Sequence, residues 1–167
     1  MKVTNLKLLA TSDSDLRVIS AHLQDAIVYT KDIANLRRNR IFLIQLNRFM
    51  WEDVEKGVFR KNKRIRTVLK FDNVINVVSK NIDIGKKDNF LDFLTIESNL
   101  LPDKSYEIKL IFSGDSIIKI NAEVIDVTLD DQGMPWESKT TLLFINHRIV
   151  AFRSFNWNAS ILLCKVY

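Results

Sequence analysis

Ser20, His22, Gln24 and Asp25 fall close together in a stretch that carries helical periodicity. A histidine and a carboxylate three positions apart share one helix surface, and such a pair can pass protons near neutral pH. Ser20 and Gln24 beside it would complete a small polar pocket. No nucleophile or second histidine stands next to the pair, so the preferred reading is plainer: a solvated contact, or a helix edge packed on a sheet.

Two further groups have chemical potential. Arg48 and Trp51 close a strand, where the guanidinium would suit an anion and the indole a stacking platform. The structural alternative has Trp51 capping the core and Arg48 paired with Glu52. Arg60, Lys61, Lys63, Arg64 and Arg66 crowd into seven residues, a row that would meet a phosphate backbone if it faces outward. Few aromatic residues are interleaved with it, so a solvated edge that discourages sheet-to-sheet association is preferred over a nucleic-acid contact. Glu123, Asp126 and Asp130 would share a face if their segment is helical, and a solvated acidic face is the reading taken. No phosphate loop, dinucleotide fingerprint, nucleophile elbow or zinc spacing occurs, so no catalytic residue, metal or cofactor is assigned.

These residues need elements to hold them. Thr11 to Ala26 is the clearest helix: Ser12 with Asp15 makes a capping box, and Leu16, Ile19, Leu23 and Ile27 form an apolar stripe. Period two then takes over. Residues 40–49 and 64–71 alternate as strands, the second with Arg64, Arg66 and Lys70 on an outer basic face. Asn73 to Ser79 continues or pairs with that strand after a bend at Asp72-Asn73, and Phe90 to Glu97 forms another strand. Tyr106 to Phe112 turns through Ser113-Gly114-Asp115 into Ile118 and Ile120, a hairpin. The segment 122–133 fits both periods and is assigned to helix with Gly133 as its stop. The expected fold is α+β: one N-terminal helix packed on a mainly antiparallel, strongly bent sheet or small barrel of about six strands.

The 167 residues are enough for one domain with a real core, and 47% hydrophobic with 27% charged residues is a folded composition. The net charge of +5 is unevenly spread. Residues 1–137 hold 21 basic residues and all 20 acids, whereas 138–167 hold four basic residues and no acid. Apolar runs are too short for a membrane span, the LLA near the start is too short for a secretory signal, and Cys164 is alone. A cytoplasmic location is expected.

Ser20 to Ala26, Leu46 to Glu52, the later hairpin, Asp131-Gln132-Gly133 and Pro135-Trp136 resemble, in order, the landmarks of an uncharacterised alphaproteobacterial family, domain of unknown function 2948. The resemblance covers residues 5–137 and implies no activity. The acid-free tail departs from it. Its residues 142–145 and 149–152 suggest a hairpin around Asn146-His147-Arg148, so the expected organisation is a single domain over 1–137 with an appended aromatic tail over 138–167. The function expected is a binding or scaffolding domain with a protein partner or a second copy, no membrane and no cofactor. A nucleic-acid module using 60–66 comes second, and a small enzyme around His22 and Asp25 third.

Overall fold

The computed structural model describes residues 5–51, 63–82, 89–138, 140–145 and 148–153. After β1 (Lys7–Ala10) comes the helix α1 (Asp13–Leu23), whose start follows the capping logic. Ser12 Oγ accepts the Asp15 N–H at 3.3 Å, and Asp15 Oδ2 accepts the Ser12 N–H at 3.0 Å. Each side chain thus satisfies a backbone donor of the first turn, which has no carbonyl of its own. Ser12→Ala is expected to lower stability by about 0.5–2 kcal/mol, measured by urea denaturation. An unchanged midpoint would show that the cap is redundant.

Leu16, Ile19 and Leu23 are buried along one face of α1. The helix stops earlier than its stripe suggested, because Asp25 takes a left-handed φ of 58° and Ile27 already belongs to a strand. Strands β2 (Ile27–Leu36) and β4 (Lys63–Phe71) flank β3 (Ile41–Phe49), each antiparallel to it. They are followed by β5 (Val74–Lys80), β6 (Phe90–Leu100), β7 (Tyr106–Phe112), β8 (Ser116–Ala122) and β9 (Val127–Glu137).

One sheet contains all nine, in the order β1-β9-β4-β3-β2-β6-β7-β8-β5. This corrects the expected six strands and the barrel: β1 and β5 each pair on one side, so the sheet has two ends and does not close. The three strands missing from the sequence reading are β1, which has four residues, β2, whose alternation is broken where its register on β3 shifts between Val28 and Ile33, and β9. The bend at Asn73 is present, with φ 57°, but β5 pairs with β8 and not with β4.

The segment 127–137 is a strand, not a helix. Gly133 (φ 75°) does not stop a helix; it lies with Met134 and Pro135 in a bulge, where Arg64 opposes Trp136 and Arg66 opposes Gln132. Glycine supplies the left-handed backbone and proline forgoes a ladder hydrogen bond, so both suit a bulge. Glu123, Asp126 and Asp130 are accordingly dispersed: Glu123 pairs with Arg40, Asp126 accepts from Asn73, and Asp130 faces Lys7. Among the described residues no group of three or more His, Cys, Asp or Glu side chains is placed to hold a metal ion.

The sheet halves share one core. Phe42, Ile44 and Leu46 of β3 with Leu69 and Phe71 of β4 belong to the same buried cluster as Phe93 of β6, Leu110 and Phe112 of β7 and Ile118 of β8, together with the α1 stripe. The chain crosses between halves at a corner where Asp72 N–H donates to Asp126 O and Glu123 N–H to Asn73 O. Strands β10 (Thr140–Ile145) and β11 (Arg148–Arg153) form a separate antiparallel hairpin. No helix among the described residues is long and apolar enough to cross a membrane.

Candidate functional site

The first candidate is an open groove between α1 and β6. Arg17, Ser20, Ala21 and Gln24 form one wall, Leu94, Thr95 and Ile96 the other, around about 360 Å³. It lies where β6 bulges between Phe93 and Thr95, at the shift in its register on β7. Ser20 Oγ accepts the Ile96 N–H at 2.9 Å and lies 3.2 Å from Thr95 Oγ1. That hydroxyl therefore pins the helix to the bulge. Asp13 adds a second tie through Ser98, and its other oxygen accepts from Arg17 Nε at 2.9 Å. Of the four residues proposed for a polar pocket, only Ser20 and Gln24 line the groove.

His22 and Asp25 do not form the expected pair. The helix has ended before Asp25, and no hydrogen bond or ion pair joins the two side chains. His22 is half-buried, with its Nδ1 buried and lacking a hydrogen-bond partner among the described residues. Asp25 stands beyond the helix, its N–H donating to Phe93 O at 3.2 Å. Burial pushes its carboxyl above the usual aspartate range, the Arg64 charge opposes the rise, and Asp92 adds to it.

A carboxyl raised on folding binds its proton more tightly in the folded chain. Its contribution therefore lowers stability as pH rises from the ordinary aspartate value through the folded one. Asp25→Asn, which tolerates the left-handed backbone, should raise the urea midpoint at neutral pH and leave it little changed at pH 3. A lower midpoint at neutral pH would mean that the carboxylate makes a stabilising contact.

Around this corner the carbonyls just past the end of α1, and that of Asn47 on β3, gather donors. Trp51 Nε1 donates to Gln24 O at 3.3 Å, while Arg64 Nη1 donates to Asn47 O at 2.8 Å and to Asp25 O at 3.4 Å. The Arg64 guanidinium lies 3.7 Å from the Phe49 ring centroid, and the Phe49 ring is 5.5 Å from that of Trp51. A cation at a helix C-terminus and over an aromatic face is favourable on both counts. This corrects the outward basic row: Arg64 is 6% exposed and turned inward. Lys63 is half-buried and Arg66 exposed, whereas Arg60 and Lys61 lie outside the described residues.

Arg48 is also accounted for within the fold. Its Nε donates to Asp131 Oδ1 at 2.9 Å and its Nη2 to Asp131 Oδ2 at 2.6 Å, with both side chains fully buried. Thr67 Oγ1 and the Leu6 N–H also donate to this carboxylate, at 2.7 and 3.0 Å, and Arg48 Nη1 reaches Phe49 O at 3.0 Å. Arg48, Thr67 and Asp131 continue the apolar stripes of β3, β4 and β9, so the core face ends in a polar layer that also holds the residue before β1. The anion suited to Arg48 is thus Asp131; Glu52, the expected partner, lies outside the described residues. No local pattern points to Asp131 as the partner, because 83 positions separate it from Arg48.

A family model described as protein of unknown function (DUF2948) matches residues 6–142. The chain belongs to this family. The match spans all nine strands of the main sheet of this DUF2948 domain, together with α1. The stretches that carried the resemblance meet in space: Gln24 accepts from Trp51, and Arg48 is held by Asp131. Comparison with curated proteins and with solved structures found no match in either set.

Proposed function

We propose that this DUF2948 chain is a cytoplasmic binding or scaffolding domain that works without a cofactor, its shared domain ending near residue 137 and the β10–β11 segment appended to it. The observation that supports a binding role is the α1–β6 groove. Its volume of about 360 Å³ falls within the roughly 300–1,000 Å³ of small-molecule clefts. It joins apolar Leu94 to the polar ends of Gln24, Arg17 and Thr95, so it suits a ligand that is part apolar and part hydrogen-bonding. Arg48 and Arg64, the cations best placed by sequence to hold an anion, have their guanidinium groups engaged within the fold.

The test is a nuclear magnetic resonance titration of the full chain with a library of small amphipathic fragments. Shifts should concentrate on the Ala21, Gln24, Leu94 and Thr95 amides. Ala21→Trp, a change at an exposed helix position, should fill the groove and abolish the shifts while the thermal midpoint is maintained. Shifts that persist in this variant, or that lie elsewhere, would refute the groove as the site.

A second reading, a small enzyme at the His22 and Asp25 corner, is favoured by a His22 Nδ1 that has no hydrogen-bond partner among the described residues and by the raised Asp25 carboxyl. Such pKa perturbation is found at catalytic groups as well as in structural ones. This reading requires a pH-dependent turnover that His22→Ala removes without unfolding the chain.

A further inference from the structure

Apart from the α1–β6 groove, the sheet has two ends, and they are not alike. β1 is only four residues long, whereas β5 has seven and, among the described residues, pairs only with β8. Ile75 and Val78 on β5 are each 56% exposed. Beside its free edge lies a pocket of about 160 Å³, walled by Asn35, Arg37 and Arg40 on one side and Val74 to Val77 on the other. Arg40 closes the head of this space: its carbonyl accepts the Val74 N–H at 2.9 Å, and its Nε donates to Val74 O at 3.4 Å. From Ile75 onward no described residue pairs with that edge.

We propose that this edge takes up an extended acidic peptide as a tenth strand. Unpaired N–H and C=O groups on an edge strand are a template for β-addition, with side-chain contacts setting the choice of partner. Charge complementarity sets that choice here. Arg37 and Arg38 are exposed and make no ion pair among the described residues, while Arg40 is paired with Glu123 at 2.8 Å. Carboxylates at the end of the peptide nearest Val74 would meet this arginine group, and apolar side chains further along would lie on Ile75 and Val78. A second copy of the chain fits less well. Antiparallel pairing of two β5 strands would bring Lys80 of each copy to the arginine group of the other, and like charges there oppose association.

The probe is a short fluorescein-labelled peptide in which valine alternates with threonine and one end carries glutamates. A control peptide has lysines in their place. Anisotropy should show binding of the acidic peptide to the full chain, weakened about tenfold in Arg37→Glu/Arg38→Glu and by added salt. Hydrogen exchange should show slowed amides over Ile75 to Ser79. Equal binding of both peptides, no binding, or protection elsewhere would overturn the proposal. So would β5 protection that grows with protein concentration in the absence of peptide, which would assign the edge to self-association. None of these outcomes touches the Ala21 and Leu94 amides that report on the groove, so the two proposals fail separately.

Discussion

Asp131→Ala should lower the unfolding free energy by about 3–5 kcal/mol, because it removes the carboxylate that faces a fully buried guanidinium. With natural domains stable by only about 5–15 kcal/mol, that is a large share of the total. Arg48 would lose both of its carboxylate hydrogen bonds, and Thr67 and Leu6 one acceptor each. Arg48→Met/Asp131→Leu, which removes both charges together, should recover most of the loss, since the attraction within a buried pair is largely offset by the cost of desolvating it. Urea denaturation of the three variants measures this. If the double variant is as unstable as Asp131→Ala, the polar layer supplies packing that apolar side chains cannot reproduce.

The same carboxylate gives the domain an acid limit. Burial by itself would raise the Asp131 carboxyl, but hydrogen bonds from Arg48, Thr67 and the Leu6 N–H outweigh it and hold the group below its ordinary value. A carboxylate lowered in this way contributes fully above its unfolded value of about 3.9 and loses that contribution as pH falls through the folded value. Stability should therefore drop below about pH 4, and the drop should be shallower in Asp131→Asn. Other carboxylates lowered by hydrogen bonds, Asp15 and Asp103 among them, act in the same window. The difference between the two profiles isolates Asp131.

Phe93→Ala is the second large effect, with an expected loss of about 3–5 kcal/mol from transfer and cavity terms. Phe93 is 1% exposed and meets Phe112 edge-on with ring centroids 5.7 Å apart. Its N–H donates to Ala26 O at 2.9 Å and its carbonyl accepts the Asp25 N–H, so the ring anchors the point where the end of α1 docks on β6. Leu94 next to it is 48% exposed. Leu94→Ala should change stability by no more than about 0.5 kcal/mol, and thermal denaturation of both variants gives the contrast. Similar losses would mean that the exposed Leu94 side chain is energetically part of the core.

Neighbouring residues left clear local signals. The Ser12 and Asp15 capping box, the Leu16, Ile19 and Leu23 stripe, the 106–120 hairpin and the alternation over 41–49 all follow from interactions within a few positions along the chain. β2 is illegible because its bulge breaks the alternation, and the helix expected over 122–133 gives way to a strand from Val127 because the Gly133 that would stop a helix serves a bulge instead. Both departures are local irregularities, in which one residue type serves two backbone purposes.

The candidate site was less legible. The sequence placed Ser20 and Gln24 near a pocket, yet Thr95 and Leu94, which form the opposite wall, come from a strand whose bulge becomes apparent only through its register on β7. Period two showed that Arg64 and Ile65 face opposite ways, but not that an arginine stem can fold inward over Phe49 and place its charge on the carbonyls of Asn47 and Asp25.

By itself, then, the sequence determined the helix start, most of the strands and the family, because propensity, capping and alternation act between near neighbours. The tertiary structure alone decided the open nine-stranded order, the pairing of β5 with β8, and the Arg48–Asp131 layer. Those choices depend on which distant segments bury surface together, and a buried charge can be satisfied only by a partner that the folded backbone brings within hydrogen-bonding distance.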